Sequence, residues 1–436
     1  MALGGGTFVT QNKTMPGAYI NVVSAARASA TLSDRGVVAL PIALDWGVQD
    51  KVLTLTQEEF QKDSLKLLGY DYTADEIMPL REAFLGAVKV HVYNLNTGGA
   101  KATSALATAK YAGVRGNALK YAITANIDDE SKKDVVLYMG SAKVDSQTVA
   151  SASELVDNDY VVWDKEATLD ATAGTSLTGG TNSTSEIVAA NYQTALEKLE
   201  SYNYNVLVAP TTDSGIISLF VAFTKRLRDQ VGVKFQTVVY RTEADYEGIV
   251  SVENSVGGDD TNCSAVYWVG GQLAGCAINK SMTNAKYNGE LAIDCPHTQS
   301  ELEAGILAGK FMFHVVEDEV RTLRDINTFV SFTPEKSKDF SSNQVIRVID
   351  QRANDAARLF NTKYLGKVQN DKSGRVSFWA DLVAQARAME TVRAIEDYNS
   401  DNLKVEQGNT KESVTVSEIL KPTVAMEQLY MTTVIE

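Results

Sequence analysis

The last residues of the chain form a strand pattern that has no partner near it in the sequence. After Pro422, residues 425–436 (AMEQLYMTTVIE) have the composition of a β-strand. A lone strand cannot satisfy its own backbone N–H and C=O groups, so we expect it to pair with the edge of a sheet. A second strand pattern, GAYINVVSA, lies at residues 17–25. The fold must therefore provide partners for two terminal strands.

The region before the tail predicts two helices and a β-hairpin. Residues 345–360 place apolar side chains on one helical face and Arg347 and Arg358 on another. Ser373 is the expected N-cap of the second helix. The period then changes to that of strands, and residues 403–419, with a turn in the middle, predict the hairpin.

Length and composition are those of a globular protein with several domains. A chain of 436 residues is too long for one ordinary core, and two to four domains are expected. No apolar run approaches the roughly 18 residues that indicate a membrane span. The three cysteines lack CxxC spacing, which argues against a disulfide framework and a zinc site and favours synthesis in a reducing cytoplasm.

The net charge of −14 is unevenly distributed. Residues 1–320 contain 25 Lys and Arg against 39 Asp and Glu, whereas residues 321–436 contain 16 of each. Within this C-terminal region, residues 345–393 contain nine basic and five acidic residues. This local excess predicts either contact with an acidic partner or two solvated helix faces. Nucleic acid is not an expected partner, because the chain contains no clearly basic domain.

The rest of the chain predicts two further kinds of core. Residues 94–185 are rich in Gly, Thr, Ser and Asp and contain short strand patterns, which predicts a small β-sandwich. From residue 187 onward, helix and strand patterns alternate, which predicts an α/β domain. Its end, residues 310–316 and 320–323, predicts a hairpin that turns at Glu317 and Asp318. Residues 27–97 contain a buried strand and a helix that begins with Thr56 and Glu59 at capping-box spacing. They have no core of obvious size, so we expect them to pack with the C-terminal third.

An α/β domain invites an enzymatic interpretation, but the common catalytic motifs are absent. The strings GxSxG, GxGxxG, HExxH and the P-loop do not occur. The glycines of GGQLAG, residues 270–275, have the wrong spacing for a dinucleotide loop and predict close helix packing instead. Asp213 follows a strand, where α/β sites often lie, but capping the next helix explains it more simply. We therefore expect no catalytic residue, cofactor or metal.

Several passages, taken together, resemble the contractile-tail sheath family, in the branch found in phages, defective prophages and R-type bacteriocins of Gram-positive bacteria. The similarity spans nearly the whole chain, in the expected order. The passages in the last third are LRDINTF (323–329), NQVIRVIDQRANDAARLFNTKYLGKVQND (343–371), GRVSFWADLVAQARAME (374–390) and ILKPTVAMEQLYMTTVIE (419–436). Those upstream are PGAYINV (16–22), AKYAGVRGN (109–117), LTGG (177–180) and SMTNAKYNGE (281–290).

The resemblance implies a multidomain α+β fold. Its α/β core domain is built from both chain ends, with a small β-sandwich and an α/β domain inserted, and its terminal strand arms are exchanged between subunits. The expected divisions of the chain are an N-terminal arm (1–26), the first core segment (27–97), the β-sandwich (98–185), the inserted α/β domain (186–330), the second core segment (331–420) and a C-terminal arm (421–436).

The resemblance also implies a function. The chain would be a structural subunit that forms a helical polymer of six-fold layers around an inner tail tube and contracts to drive the tube through a cell envelope. Further expected partners are baseplate and tail terminator proteins, and the product would be a phage tail or a released bacteriocin particle. The implied arm residues are Tyr19, Ile20, Val22, Met426, Leu429, Tyr430 and Val434. The implied tube-facing candidates are Arg347, Arg358, Arg375 and Arg387.

Two other classes remain open on the sequence alone. One is a different self-assembling structural protein, of the tail-tube or surface-layer type, which would be distinguished by whether its arms exchange in rings around a core. The other is an α/β enzyme, which would be distinguished by a pocket with a cluster of perturbed ionisable groups.

Overall fold

The computed structural model describes residues 32–183 and 186–435, which form a mixed α+β, multidomain protein with several sheets and eight α-helices in the described region. The described residues fall into two compact units. The larger unit comprises residues 34–351, 393–395 and 422–435, and the smaller unit comprises residues 32–33, 352–392 and 396–421. None of the described helices is both long and apolar enough to cross a membrane.

The larger unit begins with elements that the sequence predicts closely. The Thr56 hydroxyl accepts from the Glu59 N–H, and the Glu59 carboxylate accepts from the Thr56 N–H at 2.9 Å, so the capping box is confirmed. Gly69 ends the same helix with a left-handed φ of 79°. The elements are β1 (Val37–Ile42), β2 (Val52–Thr56), α1 (Gln57–Leu68), α2 (Met78–Phe84) and β3 (Lys89–Asn94).

Two antiparallel sheets follow and enclose one apolar core, as the strand patterns predict. The strands are β4 (Lys101–Thr103), β5 (Ala107–Ala112), β6 (Leu119–Ala125), β7 (Lys133–Met139), β8 (Ala142–Val149), β9 (Val161–Trp163) and β10 (Thr172–Ser176). The first sheet has the order β10-β6-β7-β8 and the second β4-β5-β9. Trp46, from the segment after β1, is fully buried in this core.

The alternating pattern after the sandwich forms helices and a parallel sheet, and it ends in the expected hairpin. Glu317 and Asp318, both with positive φ, form the two-residue turn between β15 (Phe313–Val316) and β16 (Glu319–Thr322). The elements are α3 (Ala189–Leu199), β11 (Val206–Val208), α4 (Ser214–Lys225), β12 (Gln236–Tyr240), β13 (Ile249–Val252), α5 (Ala265–Gly275), α6 (Gln299–Leu307), β14 (Lys310–Phe311), β15 (Phe313–Val316) and β16 (Glu319–Thr322).

The first three strands belong to the sheet of this α/β region. The seven-stranded sheet has the order β14-β13-β12-β11-β1-β3-β2, and β1 pairs in parallel with β11 through Val38 and Val206. The sequence placed residues 27–97 with the C-terminal third, and for residues 34–97 the structure differs. The physical reason is that β1 and β3 are buried strands that need a hydrogen-bonded neighbour, and β11 supplies it for β1.

The chain after residue 330 forms the two expected helices and the hairpin. The second helix is capped by Asp371, whose carboxylate accepts from the Gly374 N–H at 2.7 Å, so the expected cap at Ser373 is wrong by two residues. Both residue types cap helices, and local pattern does not choose between them. The elements are α7 (Asn343–Leu359), α8 (Lys372–Thr391), β17 (Lys404–Gln407) and β18 (Val414–Ser417).

The expected close helix packing at GGQLAG is confirmed between α5 and α2. A Cβ atom on Gly271 would lie 2.0 Å from the Ala83 carbonyl oxygen, and one on Gly275 would lie 2.0 Å from the Gly86 carbonyl oxygen. Contacts this short are impossible for real side chains, so the two backbones can approach only because these positions are glycine. The α5 helix also covers the central sheet with Trp268.

We predict that Gly271→Val lowers the free energy of unfolding by about 3 kcal/mol, because the helices must separate to admit the side chain. Thermal unfolding followed by circular dichroism would measure the effect. Gln193→Ala, on the exposed face of α3, is the control and should stay within about 0.5 kcal/mol of the parent. Equal unfolding midpoints for Gly271→Val and the parent would contradict the packing argument.

Candidate assembly surfaces

The C-terminal segment is exposed and forms no strand within its own subunit. Residues 424–435 contain no assigned secondary structure, and the backbone from Gln428 to Ile435 makes no hydrogen bond to any other described residue. Its apolar side chains lie in solvent, with 77% to 101% of each surface exposed in the following set: Met426, Leu429, Tyr430, Met431, Val434 and Ile435. Isolated exposed apolar residues are ordinary, but a continuous run with unused backbone groups is characteristic of a binding segment.

The beginning of this segment is attached to the larger unit. The Thr423 N–H donates to the Ala394 carbonyl at 3.0 Å, and the Ala425 N–H donates to the Gln344 side-chain oxygen at 3.0 Å. Glu427 forms an ion pair with Arg324, with 2.8 Å between Oε2 and Nε. The C-terminal arm therefore has a held portion, residues 422–427, and a portion without hydrogen bonds or ion pairs to other described residues, residues 428–435. The N-terminal arm residues Tyr19, Ile20 and Val22 lie outside the described residues.

The hairpin of the smaller unit has free edges. Strands β17 and β18 form a two-stranded sheet, so each has an outer edge that pairs with no other described residue. One face packs on α8, where the Trp379 indole N–H donates to the Leu403 carbonyl at 2.9 Å. A cleft of about 420 Å³ adjoins the turn of the hairpin and is partly apolar. Its lining includes Phe360, Tyr364, Leu365, Phe378 and Val414.

The four arginines that the sequence nominated for a tube surface lie in different environments. Arg347 is 1% exposed and its guanidinium contacts the Asp325 carboxylate at 2.6 Å, so its proposed role as a surface cation is wrong. Arg358 and Arg387 are exposed on α7 and α8. Arg375 is half-buried and donates to the Asn370 backbone and side-chain oxygens, both at 3.0 Å.

Arg347 instead holds the first half of α7 in the larger unit. Burial alone would lower the pKa of Arg347, but the neighbouring groups, chiefly the Asp325 carboxylate, raise it. A second buried pair joins Arg228, in the π-helical turn that follows α4, to Asp350 at 2.6 Å. Removing one partner of such a pair leaves a buried charge without compensation, which is costly. These residues were missed as structural anchors because sequence spacing does not show which helix face meets a partner.

We predict that Asp325→Asn lowers the free energy of unfolding by about 3–5 kcal/mol, because it leaves the Arg347 guanidinium buried beside a neutral group. Chemical denaturation would measure the loss. Arg358→Ala, at an exposed position near the C-terminal end of the same helix, is the control and should change stability by less than about 0.5 kcal/mol. Equal losses in the two variants would contradict the prediction, because the buried Asp325–Arg347 pair would then contribute no more to stability than the exposed Arg358.

The region where an α/β enzyme would place its site contains no catalytic constellation. A cavity of about 480 Å³ lies beyond the carboxyl ends of β1 and β11, and its lining includes Asp213, Tyr192 and Tyr267. The Asp213 carboxylate is occupied as the cap of α4, accepting from the Gly215 and Ile216 N–H groups at 2.8 and 3.0 Å. Burial raises the pKa of both tyrosines, which keeps them protonated.

Other potentially reactive groups have structural environments. His91 lies in β3, where its Nδ1 is 2.9 Å from the Thr54 hydroxyl and burial lowers its pKa. Burial also raises the pKa of the three free cysteines, to about 11 for Cys295, which keeps these thiols protonated. Across residues 32–183 and 186–435, no group of three His, Cys, Asp or Glu side chains could hold a metal ion.

Four family models match consecutive regions of the chain. They are the N-terminal region of domain III of tail sheath protein Gp18 (residues 35–95), the phage tail sheath protein beta-sandwich domain (97–182), the phage tail sheath protein central domain (185–328) and the phage tail sheath C-terminal domain (335–436).

Individual proteins give the same result over the full length. The phage-like element PBSX protein XkdK of Bacillus subtilis is 32% identical, with 98% of this chain and 99% of that protein covered. The crystal structure of the sheath tail protein from Desulfitobacterium hafniense has a TM-score of 0.81 at 32% identity and covers 95% of this chain and 99% of its own. The helical sheath of the anti-feeding prophage in its contracted state shares the fold at a TM-score of 0.53 and 10% identity, over 96% and 99% of the two chains.

Proposed function

The chain belongs to the phage tail sheath protein family, and on that basis we propose that it polymerises around an inner tail tube and contracts to drive the tube through a target cell envelope. Tail sheath proteins are structural proteins, and the proposed role requires no cofactor. The polymer would consist of six-fold layers of this chain, bounded by baseplate and terminator proteins. The exposed C-terminal arm carries the proposal, because it presents an apolar strand sequence that pairs with no strand in the described part of its own subunit.

The arm supports assembly because its free state is unfavourable. Residues 428–435 expose apolar side chains to water, and their backbone groups have no hydrogen-bond partner among the described residues. Adding the segment to the edge of a sheet in a second copy would provide a ladder of hydrogen bonds and bury one row of side chains. Alternate residues of a strand point to opposite faces, so Leu429, Met431 and Ile435 would share one face.

The β17–β18 hairpin is the acceptor that we propose. Both of its strands are short, each has a free outer edge, and the partly apolar cleft beside its turn could receive side chains of the added strand. Arms exchanged in this way would link neighbouring copies of the chain while each copy remains free to rotate and slide relative to the next. The N-terminal arm, with Tyr19, Ile20 and Val22, would add a second such strand.

Contraction would then be a change of packing without chemical fuel. The extended sheath would be held in a metastable arrangement, and contacts with the tube would be exchanged for larger contacts between layers. A gain of a few kcal/mol per subunit, summed over a long polymer, is large compared with thermal energy. The exchanged arms would keep the polymer continuous during the change. The particle would be assembled from chains made in a bacterial cytoplasm, as a phage tail or a bacteriocin.

Arg358, Arg387 and Arg375 remain the candidates for contact with the tube. The first two are exposed on helices of the smaller unit, where residues 345–393 have a local excess of positive charge. An acidic tube surface would be attracted to such a patch, and the attraction would weaken with salt. The alternative structural role is that of a tail-tube or surface-layer protein. Such a protein would form a polymer that does not surround a second, inner polymer.

We predict that deleting residues 428–436 leaves a folded monomer that does not polymerise, because residues 428–435 make no hydrogen bond or ion pair with the rest of the described chain. Electron microscopy and sedimentation would measure polymer formation, and thermal unfolding would show an unchanged midpoint. The control is a full-length chain in which Gln428 and Thr432 are replaced by Asn and Ser. It keeps the apolar residues of the arm and should polymerise. Normal polymers from the deleted chain would overturn the proposed exchange.

We predict that reversing Arg358 and Arg387 to Glu reduces the yield of extended, tube-filled particles by about tenfold while contracted polymers still form, because only the extended state needs the tube. Counting both forms in micrographs of coexpressed sheath and tube would measure the effect. Reversal of Lys421, which is exposed and paired with Asp397 outside this patch, is the control. An unchanged ratio of the two forms would remove both arginines from the tube interface.

A further inference from the structure

Three distant regions of the chain meet at the side chain of Glu427. Its Oε1 accepts from the Thr283 hydroxyl at 2.7 Å, and its Oε2 accepts from Arg324 Nε at 2.8 Å. The Thr283 hydroxyl also accepts from the Asp325 N–H at 3.0 Å. These residues come from the passages SMTNAKYNGE, LRDINTF and AMEQLYM, so three separate motifs of the sequence form one contact.

The held portion of the arm is attached at every second residue. The Thr423 hydroxyl donates to the Arg393 carbonyl at 2.6 Å, the Ala425 N–H donates to Gln344, and Glu427 completes the series. Residues at a spacing of two lie on one side of an extended chain. The segment therefore has one side bound to its own subunit, and the contacts stop abruptly at Glu427.

We infer that Glu427 is the fixed point of the arm, so that residues 422–427 stay on their own subunit in the polymer and only residues 428–436 pass to a second copy of the chain. This inference rests on the proposed exchange and adds to it the position where the arm divides. Thr283 and Arg324 are then positioning residues for the exchanged strand, although neither touches the second copy.

A fixed point at Glu427 limits how far the exchanged strand can reach and sets the register in which it pairs. Eight extended residues, 428–435, span about 26 Å at roughly 3.3 Å per residue, so the acceptor edge must begin within that distance of Glu427. A shift of one residue would exchange the two faces of the strand and turn Leu429, Met431 and Ile435 away from the acceptor. The contact of Glu427 with Thr283 and Arg324, which we call the clamp, therefore helps to decide which face of the arm is buried.

The test compares Arg324→Glu, Glu427→Arg and the double variant that restores the pair with reversed charges. Because partly exposed pairs contribute up to about 1 kcal/mol, each single variant should raise the critical concentration for polymerisation about fivefold, and the double variant should recover most of the loss. Single variants that polymerise as readily as the parent, or more readily, would overturn the inference, because they would show that the clamp opens on assembly.

Glu427→Ala provides a variant that cannot fail through misfolding, since the side chain lies on the arm. In the unassembled chain, it should increase hydrogen exchange at the Ala425 amide about fivefold, in keeping with the loss of one partly exposed pair. Equal exchange rates would overturn the clamp without reference to any polymer. Normal polymers from a chain that lacks residues 428–436 would instead overturn the proposed exchange of the arm, on which this inference rests. In a cryo-EM map of assembled sheath, density joining Glu427 to Arg324 of its own copy supports the inference, and separation of the two side chains overturns it.

Discussion

Backbone groups of a strand must find partners, and this single requirement accounts for the placement of both ends of the described chain. Near the start, the buried strands β1 and β3 complete the central sheet, with β11 as the neighbour of β1. At the other end, residues 428–435 have the same requirement and no partner among the described residues of their subunit. The first case produces a folded core, and the second leaves a segment suited to joining another molecule.

The motif LRDINTF shows how one short passage serves both purposes. Asp325 points inward, where it compensates the buried Arg347 and accepts from Asn343 at 3.0 Å. Arg324, its neighbour, points outward and holds Glu427 of the arm. Adjacent residues of an extended chain face opposite directions, so the interior of the larger unit and the base of the arm are set by the same few residues.

The sandwich is joined to the central sheet by more than its two connecting segments. Trp46 fills the core of the sandwich although it follows β1. A Cβ atom on Gly113 would lie 1.8 Å from the Asp45 carbonyl oxygen, so that contact depends on the absence of a side chain. The Tyr70 hydroxyl and the Asn182 amide both donate to the Asp45 carboxylate at 2.8 Å. These contacts would transmit a displacement of the sandwich to the sheet.

The sequence by itself determined what depends on near neighbours: the capping box of α1, the two-residue turn at Glu317 and Asp318, the sandwich strands and the β17–β18 hairpin. Only the tertiary structure decided which strand pairs with β1, that Arg347 is buried whereas Arg358 is exposed, and that Glu427 of the tail contacts Thr283 and Arg324. Helical spacing places Arg347 and Arg358 on one face, but burial depends on which residues pack against each end of that face. Those residues lie far away in the sequence, so no local pattern contains the information.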